Sequence, residues 1–217
     1  MKYSVGRITS GCFRNCYFCV VPKHEPNGIR YIQHPKDIWR EGTILRLLDD
    51  NLLAHKQAFT DLHQWATENK VVVRGDTWDA RLVSSEYAGM LKDIRMEYNR
   101  VHFSFDISGY WPQIKVGLDN MRNSGWNMSA LVFLIYCHDE AAIPDAKKRW
   151  CLIRAEGADP YLMVNPENRT PRLTAIAARA RNPAVWRKLS DDEVWGERTE
   201  LTDEEKNATE VEYSYEG

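Results

Sequence analysis

The chain has 217 residues, of which 43% are hydrophobic and 28% charged, and its formal net charge is −2. That length buries one substantial core. No apolar run approaches the roughly 20 residues that cross a bilayer, and the first residues lack the apolar stretch of a secretion signal, so a membrane role is excluded and a cytoplasmic location expected. A first strand, Ser4–Thr9, leads into a polar loop holding Cys12, Cys16 and Cys19. Helical and strand patterns then alternate: helix Pro35–Glu41, strand Thr43–Leu48, helix His55–Asn69, strand Val71–Arg74, helix Ser84–Met96 and strand Arg100–Ile107. Next come helix Trp111–Asn123, strand Ser129–Cys137, helix Ala142–Glu156, strand Tyr161–Val164 and a last helix, Pro171–Leu189, interrupted at Pro183. Ser84 and Thr170 are placed to cap helices, and Gly125 and Gly157 to end them.

Alternation of this kind argues for an α/β fold with parallel strands. Six strand–helix units predict a partial (β/α)6 TIM-like barrel over residues 1–190. Chemistry then belongs at the C-terminal ends of the strands. Along the fourth strand, His102, Ser104, Asp106 and Ser108 share one face and Val101, Phe103, Phe105 and Ile107 the other, so a polar face is expected to line a cavity. From Asp191 to Gly217 there are 11 acidic and 2 basic residues, which leaves 27 basic and 20 acidic residues in 1–190, a net of +7. The last segment therefore reads as a solvated, disordered acidic tail, and the basic body as suited to an anionic substrate, nucleic acid included.

Three of the five cysteines lie within eight residues, in the pattern CxxxCxxC. An odd number so clustered is unlike a secreted disulfide framework and points to metal or redox chemistry. Thiolates are the usual ligands of iron–sulfur clusters, and three of them leave one iron of a 4Fe–4S cubane open. A structural zinc site needs four ligands, which His24 or His34 would complete.

The segment from Ser10 through Gly11, Cys12, Cys16, Phe18 and Cys19 to Pro22 resembles the signature loop of radical S-adenosylmethionine enzymes. It is most similar to the branch with a GC…C.FCxxP pattern, which includes cobalamin-linked radical enzymes and methylthiotransferases. Gly28-Ile29-Arg30-Tyr31 and Leu47-Leu48-Asp49-Asp50-Asn51 extend the resemblance, which is specific across residues 5–55. It implies that Cys12, Cys16 and Cys19 hold a 4Fe–4S cluster and that Phe18 flanks the adenine of S-adenosylmethionine. Asp49, Asp50 and Asn51 stand where the family's GGE segment binds the methionine amino group, and their departure from GGE favours contact through backbone carbonyls. Ser104, Asp106 and Ser108 match the position of ribose or carboxylate contacts. The resemblance also implies an electron donor such as flavodoxin or ferredoxin. Eleven residues precede Cys12, so no N-terminal cobalamin domain is expected, and any cobalamin would come with a separate accessory protein.

Tyr136, Cys137 and His138 at the end of the fifth strand are the remaining catalytic candidates. Alternation puts Cys137 on the opposite face from its neighbours, which favours a buried thiol over a substrate-facing one. Arg74, Asp76, Trp78 and Trp111 border the same strand ends, and Cys151 reads as a core residue. Arg169, Arg172, Arg179, Arg181, Arg187 and Lys188 read as a solvated helix rather than a phosphate-binding face. The expectation is an enzyme that cleaves S-adenosylmethionine reductively and acts through a 5′-deoxyadenosyl radical on nucleic acid or a small molecule. The alternative is a zinc- or cluster-stabilised nucleic-acid-binding module without radical chemistry.

Overall fold

The computed structural model describes residues 2–16, 18–203 and 205–206. It is an α/β protein with parallel sheets. Where one body over residues 1–190 is expected, the chain divides into two compact units, one of residues 1–104 and 112–131 and one of 105–111 and 132–217.

The first unit begins with β1 (Tyr3–Gly6), β2 (Thr9–Ser10), α1 (Val21–His24), β3 (Arg30–Tyr31) and α2 (Pro35–Ile38). It continues through β4 (Ile44–Leu47), α3 (Lys56–Glu68), β5 (Val72–Gly75), α4 (Ser85–Asp93), β6 (Arg95–Met96), β7 (Val101–Ser104) and α5 (Trp111–Asn123). β1, β4, β5 and β6 form a parallel sheet in that order. Val5, Arg46 and Arg74 fall in register across the first three of these strands. Parallel neighbours need a crossover, and α3 and α4 supply two of them. One face of this sheet is covered. A Cβ on Gly6 would sit 2.7 Å from Ile38 of α2, and one on Gly75 would sit 2.5 Å from the Trp78 ring, which in turn meets Phe59 of α3. Leu45, Leu47 and Val73, which share that face, are buried.

Local chemistry explains the helix limits. Ser84 accepts a hydrogen bond from the Tyr87 N–H to start α4, and Gly125, at φ +76°, follows α5 in the left-handed conformation that ends helices. The predicted first strand is broken in two, because Thr9 and Ser10 leave the sheet to pair antiparallel with Tyr31 and Arg30. The predicted helix Ser84–Met96 stops at Asp93, and Arg95–Met96 joins the sheet instead. β7 is half its predicted length.

The second unit holds β8 (Leu131–Cys137), α6 (Ile143–Ala155), β9 (Asp159–Val164), α7 (Pro171–Arg181), α8 (Pro183–Trp186) and α9 (Asp191–Trp195). β8 and β9 pair in parallel. Thr170 caps α7, Pro183 separates it from α8, and Gly157 has φ +81°. The expected solvated tail is corrected as far as Lys206. Ser190 and Glu193 form a capping box at the start of α9, whose Val194 and Trp195 are buried, with Trp195 against Trp150. The fully buried Arg179 donates to the carbonyls of Val194, Gly196 and Arg198, and Arg198 pairs with the buried Glu205. Two apolar side chains and an internal arginine outweigh the solubility of the surrounding acids. Residues 207–217 of the acidic segment lie outside the described residues. Among the described residues, no helix is long and apolar enough to cross a membrane.

Candidate functional site

The short ladder of β2 and β3 closes residues 11–29 into a loop that carries Cys12, Cys16 and Cys19. Its two ends touch at glycines. Gly11 has φ +86°, and a Cβ there would lie 2.1 Å from the carbonyl oxygen of Gly28, so both space and conformation demand glycine. Glu25 accepts hydrogen bonds from the Ser10 hydroxyl and from Arg30 Nη2, which together hold its carboxyl below the usual glutamate range. Within the loop, the Cys19 N–H donates to the Cys16 carbonyl at 3.0 Å and the Arg14 N–H points at Cys12 Sγ at 3.4 Å. None of the five cysteines is in a disulfide among the described residues, and those of the loop are half-buried.

Three consecutive residues after β4 fasten this loop from outside. Asp49 accepts from the Ile8 and Thr9 N–H groups and from the Thr9 hydroxyl. Its burial pushes the carboxyl up, against the pull of those donors. Asp50 accepts from the Gly11 N–H at 2.9 Å and from Arg7 Nη1 at 3.3 Å. Asn51 is buried, and its Nδ2 donates to Cys12 Sγ at 3.4 Å and to Asp79 at 3.3 Å. The side chains of Asp49 and Asp50 are thus committed to the loop backbone. Asn51 Oδ1 differs: it is buried and accepts from no protein donor among the described residues. Such an orphan is costly unless something else donates to it.

Asp79, in the connection after β5, is the pin that sequence reasoning missed. It is buried and receives Arg14 Nε at 2.6 Å, Arg81 Nε at 2.7 Å and Arg81 Nη2 at 3.0 Å. Burial works against its ionisation, but the two guanidiniums prevail and hold the carboxyl below the usual aspartate range. Asp79 therefore couples Arg14 of the loop to Asn51 beside Cys12.

Among the described residues of the loop, the large apolar side chains of Phe13, Phe18 and Val20 are exposed. Ser104 ends β7 in the first unit, half-buried, with its N–H on the Trp78 carbonyl at 3.3 Å. The other candidates belong to the second unit. Ser108 hydrogen-bonds to Asp145 through both its hydroxyl and its N–H, while Asp106 is half-buried. Tyr136 and His138 are exposed, and the His138 ring lies between the side-chain amides of Asn165 and Asn168, each 3.4 Å away. Cys137 is corrected as a catalytic candidate: its thiol is buried, donates to the Asp139 carbonyl, and is pushed up to about 11 by burial. Of the arginines in α7, Arg181 turns inward as well, whereas Arg187, just after α8, stays exposed and reaches in only at its tip. Besides Arg179, Arg181 donates to the Leu162 carbonyl and Arg187 to the buried Asp159.

Among the described residues, no three His, Cys, Asp or Glu side chains gather closely enough to hold a single metal ion. The thiols of a cubane each meet a different iron and so stand further apart than ligands sharing one ion. The donor set on the loop, three half-buried thiols outside any disulfide and beside an unsatisfied amide oxygen, suits such a cluster with a polar ligand next to it. His34, one of the two histidines weighed for zinc, uses its Nδ1 to cap α2. No protein-family model matches this chain, and no curated protein matches it.

Proposed function

We propose that this chain is a radical S-adenosylmethionine enzyme built on a partial barrel of β/α units. The observation that carries the reading is the thiol loop fastened at Gly11, Cys12 and Arg14 by Asp50, Asn51 and Asp79, with Asn51 Oδ1 left as an unused acceptor. Cys12, Cys16 and Cys19 would hold a 4Fe–4S cluster. That cluster would supply the chemistry of one-electron reductive cleavage of S-adenosylmethionine, given an electron from a low-potential donor, for hydrogen abstraction from a substrate.

The chain's own residues orient and shield. Asp50 and Asp49 hold the start of the loop so that Cys12 keeps one position. Asn51 donates through Nδ2 to Cys12 Sγ, which fixes where that sulfur sits, and offers Oδ1 to an ammonium donor. Phe18 supplies an exposed aromatic face between two of the cysteines for stacking against a nucleobase. The loop's apolar rim of Phe13 and Val20 helps to exclude water.

Anaerobic reconstitution of the full chain tests this. About four iron and four sulfide per chain, with 5′-deoxyadenosine formed on reduction with S-adenosylmethionine, is the expected result. Single alanine variants at Cys12, Cys16 and Cys19 should each lose both iron and product. Zinc in place of iron, or unchanged product formation by the three variants, overturns the proposal.

A further inference from the structure

In the second unit, hydrogen-bond donors face one another with no acceptor between them. His138 follows β8 and Asn165 follows β9, and the Asn165 N–H continues the strand ladder onto the Cys137 carbonyl at 3.2 Å. By alternation their side chains share a face with Tyr136 and Met163, which are register partners. Parallel sheets are ordinarily covered on both sides. Here Tyr136 and Met163 stay 41% and 39% exposed, whereas Ile135, Cys137, Leu162 and Val164 of the other face are buried.

Both carboxamides have their orientation fixed by other partners. Asn165 Oδ1 accepts the Glu167 N–H at 3.2 Å, which turns Nδ2 toward His138 Nδ1. Asn168 Nδ2 donates to the His138 carbonyl at 3.1 Å and brings its second hydrogen to His138 Nε2. A neutral imidazole carries one N–H and accepts at its other nitrogen, while an imidazolium carries two N–H groups. In every protonation state, therefore, at least one ring N–H points at an amide N–H. Both ring contacts are 3.4 Å, longer than ordinary hydrogen bonds.

An oxygen placed over such a pair of donors lies ~2.9 Å from each and removes the conflict. The flanking charges do not call for an anion, because Asp139, Glu140 and Glu167 adjoin these residues as closely as Arg169 and Arg172 do. An uncharged carbonyl oxygen fits instead. Beside the donors, the Tyr136 ring lies 6.3 Å from that of His138, with the Met163 thioether on the neighbouring strand. An exposed aromatic ring and a polarisable sulfur suit a flat π-face.

We propose that Tyr136, His138, Met163, Asn165 and Asn168 bind a planar heterocycle bearing a ring carbonyl, as in uracil or hypoxanthine, and that this ring belongs to the substrate. The assignment to a substrate rests on the radical-enzyme reading above; the binding does not. Adenine lacks such an oxygen, and its exocyclic amino group adds another donor, so the adenine of S-adenosylmethionine is not the occupant.

The test is saturation-transfer NMR on the full chain without iron or S-adenosylmethionine, with uridine, inosine and adenosine as separate probes. Saturable binding of uridine or inosine is expected, with adenosine weaker by about tenfold or more. Asn165→Asp keeps the acceptor for the Glu167 N–H and turns the opposed donor into an acceptor for the ring N–H. It should weaken binding of the carbonyl-bearing probes by about tenfold or more without lowering the melting temperature. Gln113→Glu, which adds the same charge on an exposed side chain of α5, should leave binding unchanged. His138→Phe, which keeps a ring but removes its N–H, is the second variant and should also weaken binding. Absence of saturable binding, adenosine bound as tightly as the other two, or unchanged binding in both Asn165→Asp and His138→Phe overturns the proposal. A chain that binds uridine or inosine but makes no 5′-deoxyadenosine overturns the radical reading alone. Conversely, normal product formation without binding of either nucleoside overturns this inference alone.

Discussion

Asp79 carries more of the thiol loop's order than any cysteine does, because it joins Arg14, Arg81 and Asn51 at one buried carboxylate. Replacing it with alanine leaves two guanidiniums without their partner, and Asp79→Ala should cost about 3 kcal/mol in urea unfolding. Its folded pKa lies below its unfolded value, so its contribution is complete above the unfolded pKa and is lost as pH falls through the folded one. The stability gap between wild type and Asp79→Ala should accordingly be constant near neutrality and close below about pH 4. A gap that widens in acid would contradict this assignment. Cys137 gives a second prediction at this scale. With its thiol buried and pushed up to about 11, it should resist iodoacetamide at pH 7.5 in the native chain and react once the chain is unfolded. The alternation of Tyr136, Cys137 and His138 was enough to predict which way that thiol turns. Asp79 carried no comparable signal, since a lone acid among the polar residues after a strand looks the same whether it is solvated or clasped by two arginines.

At the scale of elements, the two-residue pairing of Thr9 and Ser10 with Tyr31 and Arg30 converts a flexible stretch into a closed loop. Gly11 and Gly28 let its ends meet. Gly11→Ala should therefore lower the iron bound per chain after reconstitution, whereas Gly42→Ala, equally left-handed at φ +77° but with open space around it, should not. Helix limits were readable because capping chemistry is local: Ser84, Thr170, Pro183 and Gly157 act within a turn of themselves. Strand limits were less so. Arg95 and Met96 continue the helical periodicity of α4, and only the neighbouring Val72 and Val73 recruit them to the sheet. The break in the first strand likewise depends on a partner more than twenty residues away.

Across the whole molecule, the parallel α/β plan was legible in the alternation of patterns, but the division into two units was not. Composition also hid the fate of the acidic segment, because counting charges overlooks Val194 and Trp195, the two apolar side chains that seat it. Arg179→Met should destabilise the second unit by about 3 kcal/mol, since three carbonyls lose their donor, that of Val194 in a closed interior. A chain ending at Ser190 should melt earlier still and be cut faster by trypsin between 132 and 190 than in the first unit. Equal cleavage rates for the shortened and full chains would show that the segment is dispensable. The positions of these fasteners along the chain set an order of events during synthesis. Every residue that pins the thiol loop, from Ile8 to Arg81, lies in the first 81 residues, while the second unit waits for Arg198 to supply a carbonyl to Arg179. Domains fold largely as they leave the ribosome, N-terminal parts first. The loop's fasteners are thus all synthesised more than a hundred residues before Arg198, so the loop can take its shape while the second unit still lacks the carbonyl that Arg179 needs.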